Sequence, residues 1–361
     1  LADPVRPTVP AAIQECRTAG IRVVMITGDY PVTAQNIAKQ IGLNGEHALI
    51  TGPELEAMSD EELARKISTV SVFARVVPEQ KLRIVQALKA NGEIVAMTGD
   101  GVNDAPALKS AHIGIAMGGR GTDVARESAS LVLLDDDFSS IVAAVKLGRR
   151  IFDNIRKAVS YIFAIHIPIV GLSMLPAFFK DWPLILMPVH VVFLELIIDP
   201  ACSIIFEAEA AEPDTMQRPP RDPKERLFSL KSVGLSLLQG ASVLGFLLAV
   251  FFFFQTEMHD PDTTRAMVFT TLIIANVLLI LTNRSQTRSL WVMLREPNAA
   301  VWWVVGGAML MLTAVLYTPF FRGLFHFSRL ALSDVGICLG MGVGSIVWFE
   351  IVKAMRRKSL R

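Results

Sequence analysis

The sequence has few cysteines and no excess of charge of either sign. Its 361 residues include three cysteines, and 35 basic residues nearly balance 34 acidic ones. Cys16, Cys202 and Cys338 are far apart and lack the spacing of a metal site, so we expect small buried side chains there. No basic stripe with interleaved aromatics is found, which argues against a nucleic-acid partner. No signal peptide opens the chain, and because Leu1 is not methionine we expect it to begin within a longer protein or after a cut.

Apolar residues, by contrast, are plentiful, since hydrophobic residues make up 52% of the chain. That share is high for a soluble protein of this length and indicates membrane spans. Basic residues precede the first apolar stretch and follow the second, fourth and sixth, so the positive-inside rule places both chain ends in the cytoplasm. We therefore expect an integral protein of the plasma (inner) membrane, in contact with lipid. The six predicted spans are 159–179, 183–206, 233–254, 266–282, 300–320 and 332–352, of which the fourth is the shortest.

The first 150 residues alternate helix and strand signals, which predicts an α/β domain with a doubly wound parallel sheet. Residues 151–361 are predicted to form an all-α domain of six transmembrane helices, with the charge-rich segment 207–231 as a cytoplasmic loop. A helical pattern beginning near Ser139 continues into the first span, so one helix joins the two domains. Strands are predicted at 21–26, 70–74, 93–97, 113–117 and 130–134, and helices at 10–19, 32–41, 54–67, 78–91, 105–110 and 123–128.

Residues 97–108 read Met-Thr-Gly-Asp-Gly-Val-Asn-Asp-Ala-Pro-Ala-Leu and continue a short apolar run that predicts a buried strand. Ligands of open α/β sheets bind at the carboxyl ends of strands, so we expect Asp100 and Asp104 to project into a crevice there. Two carboxylates in such a turn suit Mg²⁺, which takes oxygen ligands and usually brings phosphate oxygens with it. The alternative is an acidic β-turn without a ligand.

Other polar residues fit the same chemistry. Phosphoryl transfer needs positioning and charge neutralisation more than covalent help. Thr27 offers a hydroxyl at a strand end and Lys81 offers a point charge, although Lys81 alone is also typical of an exposed helix surface. The acidic run 135–137 has two interpretations: a solvated turn or N-cap of the helix near Ser139, which we favour, and a metal site.

The run 98–108 resembles the hinge motif of P-type cation-transporting ATPases. Further motifs of that family follow the same order, namely Asp-Pro-Val-Arg at 3–6, Met-Ile-Thr-Gly-Asp at 25–29 and Phe-Ala-Arg-Val-Val-Pro-Glu-Gln-Lys at 73–81. The run Met-Gln-Arg-Pro-Pro-Arg at 216–221 is similar to the loop after the sixth membrane helix in the calcium-pump-like (P2) subgroup. The resemblance covers nearly the whole chain and identifies it with the carboxyl-terminal part of such a pump, including its last six helices.

The resemblance implies a haloacid-dehalogenase-like phosphorylation domain that uses ATP and Mg²⁺. Thr27 and Lys81 would contact the phosphoryl group, and Asp100 would bind Mg²⁺ with support from Asn103 and Asp104. Val5 stands where the family usually has a second proline in the hinge. The resemblance further places Gly28, Asp29 and Arg75 near the nucleotide, and Asp3 and Arg6 at the hinge.

The family forms an aspartyl phosphate on an Asp-Lys-Thr-Gly motif, and this sequence contains no such motif. By the resemblance, that motif, the nucleotide-binding and actuator domains and four membrane helices would lie upstream of Leu1, so we expect the isolated chain to be inactive. An alternative of another class is a non-catalytic pump remnant that acts as a membrane scaffold or regulator. A membrane-tethered phosphatase is a third hypothesis, against which we weigh the lack of an Asp-x-Asp nucleophile motif.

Ionisable residues inside a membrane are costly and usually functional. Glu195 and Asp199 share one helical face, and Pro200 can open the helix beside them to expose carbonyls, which favours a cation site over a buried hydrogen-bonded pair. His166, in the preceding span, is a candidate ligand or proton carrier, or a satisfied interior histidine. By the resemblance, Asn276 in the fourth span is a further ligand, and the ion is Ca²⁺ or another small cation, with fewer ions per cycle than in a two-calcium pump.

Overall fold

The structure is a computed structural model that describes residues 5–43, 49–179, 182–225, 228–258, 260–285, 288–296 and 298–359. The chain divides into two compact units. The first comprises Leu1–Arg149 and Pro213–Arg221, and the second comprises Arg150–Glu212 and Asp222–Arg361. The assignment of functional domains to 1–150 and 151–361 stays a prediction.

Six short strands in two parallel sheets are found in the described residues of the first unit. They are β1 Met25–Ile26, β2 Leu49–Thr51, β3 Val72–Ala74, β4 Ala96–Gly99, β5 Ile113–Met117 and β6 Leu131–Leu133. Within the described residues the strand orders are β1-β3-β2 and β4-β5-β6. Met25 is paired with Val72, and Ile115 is paired with Leu131. The predicted α/β class with parallel strands is confirmed, and its strands fall into two three-stranded sheets.

Helices cover both faces of the first sheet. The helices of this unit are α1 Val9–Thr18, α2 Pro31–Gln40, α3 Gly52–Ala57, α4 Asp60–Lys66, α5 Pro78–Ala90, α6 Ala105–Ser110 and α7 Asp123–Ser128. Val72 and Ala74 pack with residues of α1 and α2, whereas Phe73, between them, packs with residues of α3, α4 and α5. Because successive strand residues point to opposite faces, this alternation is that of a doubly wound sheet.

One predicted helix is wrong in its length. The acidic segment 54–67 was expected to be continuous, but it forms α3 and α4 with a break at Met58 and Ser59. The Ser59 hydroxyl accepts a hydrogen bond from the Glu62 N–H and so starts a new helix. Thr51 and Glu54 form a capping box that starts the first one. Two side-chain caps within nine residues favour two short helices over one long helix.

Six helices long and apolar enough to cross a membrane are found in the part of the chain that the structure describes, which confirms the six predicted spans. The helices from here on are α8 Phe138–Phe178, α9 Pro188–Pro200, α10 Leu230–Met258, α11 Pro261–Asn283, α12 Leu290–Arg295, α13 Ala299–Tyr317, α14 Pro319–Phe325 and α15 Leu332–Ser359. Helix α8 begins in the first unit and ends in the second, as the continuous helical pattern predicts. A π-helical turn, Ala201–Phe206, extends α9 directly after Pro200.

The fourth span, α11, is the most buried helix of this unit. It packs against α10, α13 and α15, and nearly all of its residues from Thr264 to Asn283 are buried. It was the shortest predicted span because its polar residues, such as Thr270, Thr271 and Asn276, interrupt the apolar pattern. These residues are at most 1% exposed, so they face neighbouring helices. A central helix can carry polar groups because other protein groups, and not lipid, surround them.

Candidate functional site

The carboxyl end of β1 is tied to the loop that follows β3. The Thr27 N–H donates to the Phe73 carbonyl at 2.9 Å, and the Val76 N–H donates to the Thr27 carbonyl at 3.1 Å. The Thr27 hydroxyl donates to the Asp29 carboxylate at 2.9 Å and accepts from the Asp29 N–H at 3.1 Å. The predicted phosphate-binding hydroxyl is thus half-buried in a local turn, next to the exposed Gly28 and Asp29.

Arg75 occupies a turn that requires close backbone contact. Its φ of +56° lies in the left-handed region, which few non-glycine residues adopt. A Cβ on Gly52 would lie 2.0 Å from the Arg75 carbonyl oxygen, so position 52 admits only glycine. The Arg75 N–H donates to the Asp29 carbonyl at 3.0 Å, and its guanidinium lies over the Tyr30 ring, 4.6 Å from the centroid. The two predicted nucleotide contacts, Asp29 and Arg75, are therefore neighbours.

Gln80 binds the backbone on the other side of the turn at Arg75, and it was not among the predicted site residues. Its Oε1 accepts from the Val77 N–H at 3.2 Å, while its Nε2 donates to the Gly52 carbonyl and to the Glu56 carboxylate, both at 3.0 Å. The side chain is buried. A glutamine at the third position of a helix that starts with Pro78 is a capping signal, and that signal could have found it.

Lys81 and Asp104 form the central ion pair of the site. The Lys81 Nζ lies 2.6 Å from Asp104 Oδ1. The other oxygen, Oδ2, accepts from the N–H groups of Asp100 and Gly101 at 3.3 and 3.2 Å. A Cβ on Gly99 would lie 2.5 Å from the Asp104 Cβ, so glycine permits this close approach. Both oxygens of Asp104 are engaged, and its side chain positions the loop that carries Asp100.

Asp100 remains open at the carboxyl end of β4. Its side chain is exposed, and among the described residues its carboxylate has no hydrogen-bond or ion-pair partner. An exposed carboxylate without a protein partner fits an Mg²⁺ ligand, and the predicted part of Asp104 in the same site stays a prediction. Asn103 is exposed in the 3₁₀ turn Val102–Asp104, and its supporting role stays a prediction.

The two predicted hinge residues have different outcomes. Asp3 lies outside the described residues. The Arg6 guanidinium donates to the Asp136 carbonyl, so it holds the acidic turn after β6. The Asp136 carboxylate in turn accepts from the N–H groups of Gly119 and Arg120 at 3.0 and 2.9 Å. The described contacts of Arg6 therefore place it with this turn and not with the predicted nucleotide contacts.

The acidic run at 135–137 forms the cap that we favoured. Asp137 accepts from the Ser139 N–H at 2.9 Å and from the Thr8 hydroxyl, and Asp135 accepts from the Ser140 hydroxyl at 2.6 Å. The Ser139 N–H lowers the pKa of Asp137, and the Ser140 hydroxyl lowers that of Asp135. Each carboxylate serves the start of α8.

The predicted cation ligands of the second unit are less well assembled. Glu195 is half-buried on α9 and Asp199 is exposed, and within the described part of the chain neither carboxylate is hydrogen-bonded or ion-paired. His166 Nδ1 lies 2.8 Å from the Ile162 carbonyl of its own helix. Among the described residues, no group of three or more His, Cys, Asp and Glu side chains is arranged to hold a metal ion. A cation site here stays a prediction that needs further ligands.

Asn276 has a partner that was not foreseen. The Tyr161 hydroxyl of α8 donates to Asn276 Oδ1 at 2.6 Å, and both residues are fully buried. The Asn276 Nδ2 has no hydrogen-bond partner among the described residues. A tyrosine and an asparagine in apolar spans are a signal for such a pair, because a buried hydroxyl needs an acceptor. The hydrogen bond from Tyr161 occupies one lone pair of Asn276 Oδ1 and competes with a cation for this oxygen.

Buried ion pairs join the segment after α9 to that after α11. Arg284 Nε lies 2.8 Å from Glu209 Oε2, and both side chains are 2% exposed. Glu212 lies 2.8 Å from Lys157 Nζ and 3.3 Å from Arg288 Nε. Burial opposes ionisation of Glu212, but these two cations outweigh it and lower its pKa. The predicted loop 207–231 is therefore partly buried, because its acids pair with distant bases.

The comparisons with known proteins agree with this architecture. A family model described as cation transporting ATPase, C-terminus, matches residues 183–355, and one described as haloacid dehalogenase-like hydrolase matches residues 1–112. Calcium-transporting ATPases of Listeria monocytogenes and Bacillus subtilis are each 40% identical, over 99% and 94% of this chain and 40% and 38% of their own lengths. Calcium-transporting ATPase 1 of Saccharomyces cerevisiae is 34% identical over 99% of this chain and 38% of its own.

A haloacid dehalogenase-like α/β unit followed, in the described residues, by six helices long and apolar enough to cross a membrane defines an integral membrane protein. The two family matches and these relatives make the chain similar to the P-type cation-transporting ATPases of the calcium-pump-like group. It spans about two-fifths of the length of the curated relatives it matches.

Proposed function

We propose that this chain is the carboxyl-terminal part of a pump that moves a cation across a membrane by ATP hydrolysis, through an aspartyl-phosphate intermediate. The observation that carries the proposal is the arrangement at the end of β4. Lys81 engages Asp104 at 2.6 Å, which leaves the adjacent Asp100 exposed at a strand end where the fold binds ligands.

The residues at the carboxyl ends of β1 and β4 have separate roles in phosphoryl transfer. Asp100 is the ligand for Mg²⁺, which when bound neutralises charge on the transferring phosphoryl group. Lys81 supplies a fixed positive charge, and Asp104 positions both Lys81 and the Asp100 backbone. The Thr27 hydroxyl donates to a phosphoryl oxygen once it leaves Asp29. Asp29 and Arg75 lie together where the nucleotide approaches.

The nucleophile would come from a further strand. Within the described residues β1 has only β3 as a neighbour and β4 has only β5, so both are edge strands. Met97 of β4 lies in the same apolar cluster that Val24 and Ile26 of the β1 segment pack against. A parallel strand that pairs with both edges would end beside Thr27 and Asp100. It would carry the aspartate of the Asp-Lys-Thr-Gly motif.

The transported cation would bind at Glu195 and Asp199, with His166 as a further ligand and Asn276 joining after release from Tyr161. The relatives described above are calcium-transporting ATPases, which makes Ca²⁺ the first ion to test. The first unit and both chain ends lie in the cytoplasm in this proposal, as the basic segments indicate.

The test is Asp100→Asn in the full-length protein in its own membrane. We expect phosphoenzyme formation and Mg²⁺-dependent ATPase activity to fall roughly 10²–10³-fold, because a charge that stabilises the transferring phosphoryl group is lost. Asp123→Asn is the matched control, since Asp123 is an exposed aspartate of α7 in the same unit. Full activity of Asp100→Asn would remove Asp100 from this role.

The membrane half of the proposal has its own test. Asp199→Asn should preserve the first unit but lower the apparent affinity of transport for Ca²⁺, with unchanged phosphorylation by inorganic phosphate. Unaltered affinity for every cation tried would exclude this site. A native protein no larger than 361 residues, without any complementing chain, would support the scaffold or regulator instead.

A phosphatase remains the weaker candidate. The expectation that the sequence lacks Asp-x-Asp spacing is wrong, because Asp135 and Asp137 have it after β6. Their carboxylates, however, accept hydrogen bonds from Ser140 and Ser139 at the start of α8. A nucleophile needs to be open to its substrate, whereas these carboxylates are used as a helix cap.

A further inference from the structure

A polar cavity of about 270 Å³ opens in the second unit where α10 begins and α15 ends. Residues of α8, α10 and α15 and of the carboxyl end of α11 line it. Its walls include hydroxyl, amide and ammonium groups, among them Ser160, Lys231, Ser236, Gln239, Asn283 and Lys353. At about 30 Å³ per water molecule, the space is large enough for a ligand of several heavy atoms. No role in the proposed transport cycle uses this cavity.

Gln239 is the feature that indicates a ligand. Its side chain is 2% exposed and lines the cavity, yet its Nε2 has no hydrogen-bond partner among the described residues. A buried amide without a partner is costly, and nearly all such groups in folded proteins are satisfied. The Gln239 amide therefore points to a hydrogen-bond acceptor that occupies the cavity.

The charge of the walls favours an anion. Among the described lining residues none is acidic, whereas Lys231 and Lys353 are both basic. The Lys353 Nζ donates to the Thr282 carbonyl and to Glu350 Oε1, and the charges of Glu350 and Glu212 both act on it, so Lys231 supplies most of the unbalanced positive charge. Lys231 lies in the first turn of α10, where the positive end of the helix dipole adds to the attraction.

We propose that this cavity binds a phosphate group, with the Gln239 amide and Lys231 and Lys353 as donors. Phosphate offers several strong acceptor oxygens, which match a wall rich in N–H and O–H groups better than a spherical halide does. The group has two possible sources with the same chemistry, the headgroup of an anionic lipid in the adjoining leaflet or free phosphate. Either would hold α8, α10, α11 and α15 together at this end of the bundle.

The experiment compares two probes on the protein purified in neutral detergent. One arm titrates inorganic phosphate, and the other measures retention of phosphatidic acid by native mass spectrometry, with phosphatidylcholine as the neutral lipid. Binding of phosphatidic acid alone identifies a lipid headgroup, and binding of inorganic phosphate identifies free phosphate. Either outcome supports the site if the binding is weakened in the Gln239→Leu variant, because the first unit is itself proposed to bind a phosphoryl group. Binding of neither probe overturns the proposal and leaves a cavity filled by water.

Variants decide whether the binding is in this cavity. Gln239→Leu should weaken it at least about tenfold, because a buried donor to a charged group is lost. Gln255→Leu is the matched control, since Gln255 lies on the same helix but does not line the cavity. Lys231→Gln, at an exposed position that tolerates substitution, should weaken binding roughly two- to fivefold. Equal binding by the Gln239→Leu and Gln255→Leu variants would place the ligand elsewhere and overturn the proposal.

Discussion

Two carboxylate pairs with the same sequence spacing have different surroundings. Asp100 and Asp104 follow a strand, and Glu195 and Asp199 lie on a helix, four residues apart in each case. Asp104 is 5% exposed and bonded to Lys81 and two backbone N–H groups. Within the described chain, the side chains of the second pair have no protein partner.

The spacing in the sequence determines which carboxylates are neighbours, whereas their hydrogen-bond and ion-pair partners determine whether they are open to a ligand. A partnered carboxylate such as Asp104 is fixed and positions others. An unpartnered one such as Asp100, Glu195 or Asp199 is available to a ligand. Removal of a partnered carboxylate should therefore cost stability, and removal of an unpartnered one should cost function.

The largest stability effect is expected at the most completely paired acid, Glu209. Glu209→Gln leaves Arg284 buried without its counter-charge, which should cost about 3–5 kcal/mol of stability. The measurement is thermal unfolding in neutral detergent, with Glu207→Gln as control because Glu207 is exposed two residues away. The double variant Glu209→Met with Arg284→Met should recover much of the loss. If it is as unstable as the single variant, packing and not charge accounts for the effect.

Asp104→Asn gives the next largest effect and tests the comparison directly. We expect the free energy of unfolding to fall by about 3 kcal/mol. This value is at the low end for a broken buried ion pair, because the Lys81 side chain is 22% exposed. Asp199→Asn, the corresponding change in the other pair, should not lower the unfolding temperature. Lys81→Met in addition to Asp104→Asn should restore part of the stability. Equal losses for Asp104→Asn and Asp199→Asn would break the distinction between the two pairs.

The sequence predicts the first pair well because its signals are local. The strand before Asp100, the glycines around it and the helix that carries Lys81 are each visible within about ten residues. The contact between Lys81 and Asp104 spans 23 residues and follows from topology, which the resemblance supplied. Strand β2 and the adjoining Gly52 were missed because β2 has only three residues, too few for a periodic pattern.

For Glu195 and Asp199 the sequence predicts only part of the arrangement. The face shared by Glu195 and Asp199 follows from helical spacing, but their lack of partners does not. The pairing of Glu209 with Arg284, 75 residues away, depends on how helices pack, and charge counts carry no information about it. Tyr161 and Asn276 were each visible as polar residues in apolar spans, and only the fold joins them across 115 residues.

We expect the free energy of unfolding to depend on pH through Glu212. The effect should be smaller than that of Glu209→Gln or Asp104→Asn, because a protonated carboxyl group still forms hydrogen bonds. Its pKa is lowered in the folded protein, so its stabilising contribution is complete above the ordinary value of 4.5 and disappears as the pH falls through the lowered value. The stability difference between wild type and Glu212→Gln should therefore shrink below pH 4.5. A difference for Glu212→Gln that stays constant across this pH range would exclude a lowered pKa of Glu212.

Tyr161→Phe should have the smallest effect on stability, about 1–2 kcal/mol, because it leaves the buried Asn276 oxygen without its donor. The same change removes the Tyr161 hydroxyl from Asn276 Oδ1, so this oxygen becomes available to the cation as an additional ligand beside Glu195 and Asp199. If Asn276 is a transport ligand, apparent Ca²⁺ affinity in the full-length protein should rise in Tyr161→Phe and fall in Asn276→Ala. If both variants lose stability and neither changes Ca²⁺ affinity, Asn276 only joins α8 to α11, and the cation site depends on Glu195, Asp199 and groups outside this pair.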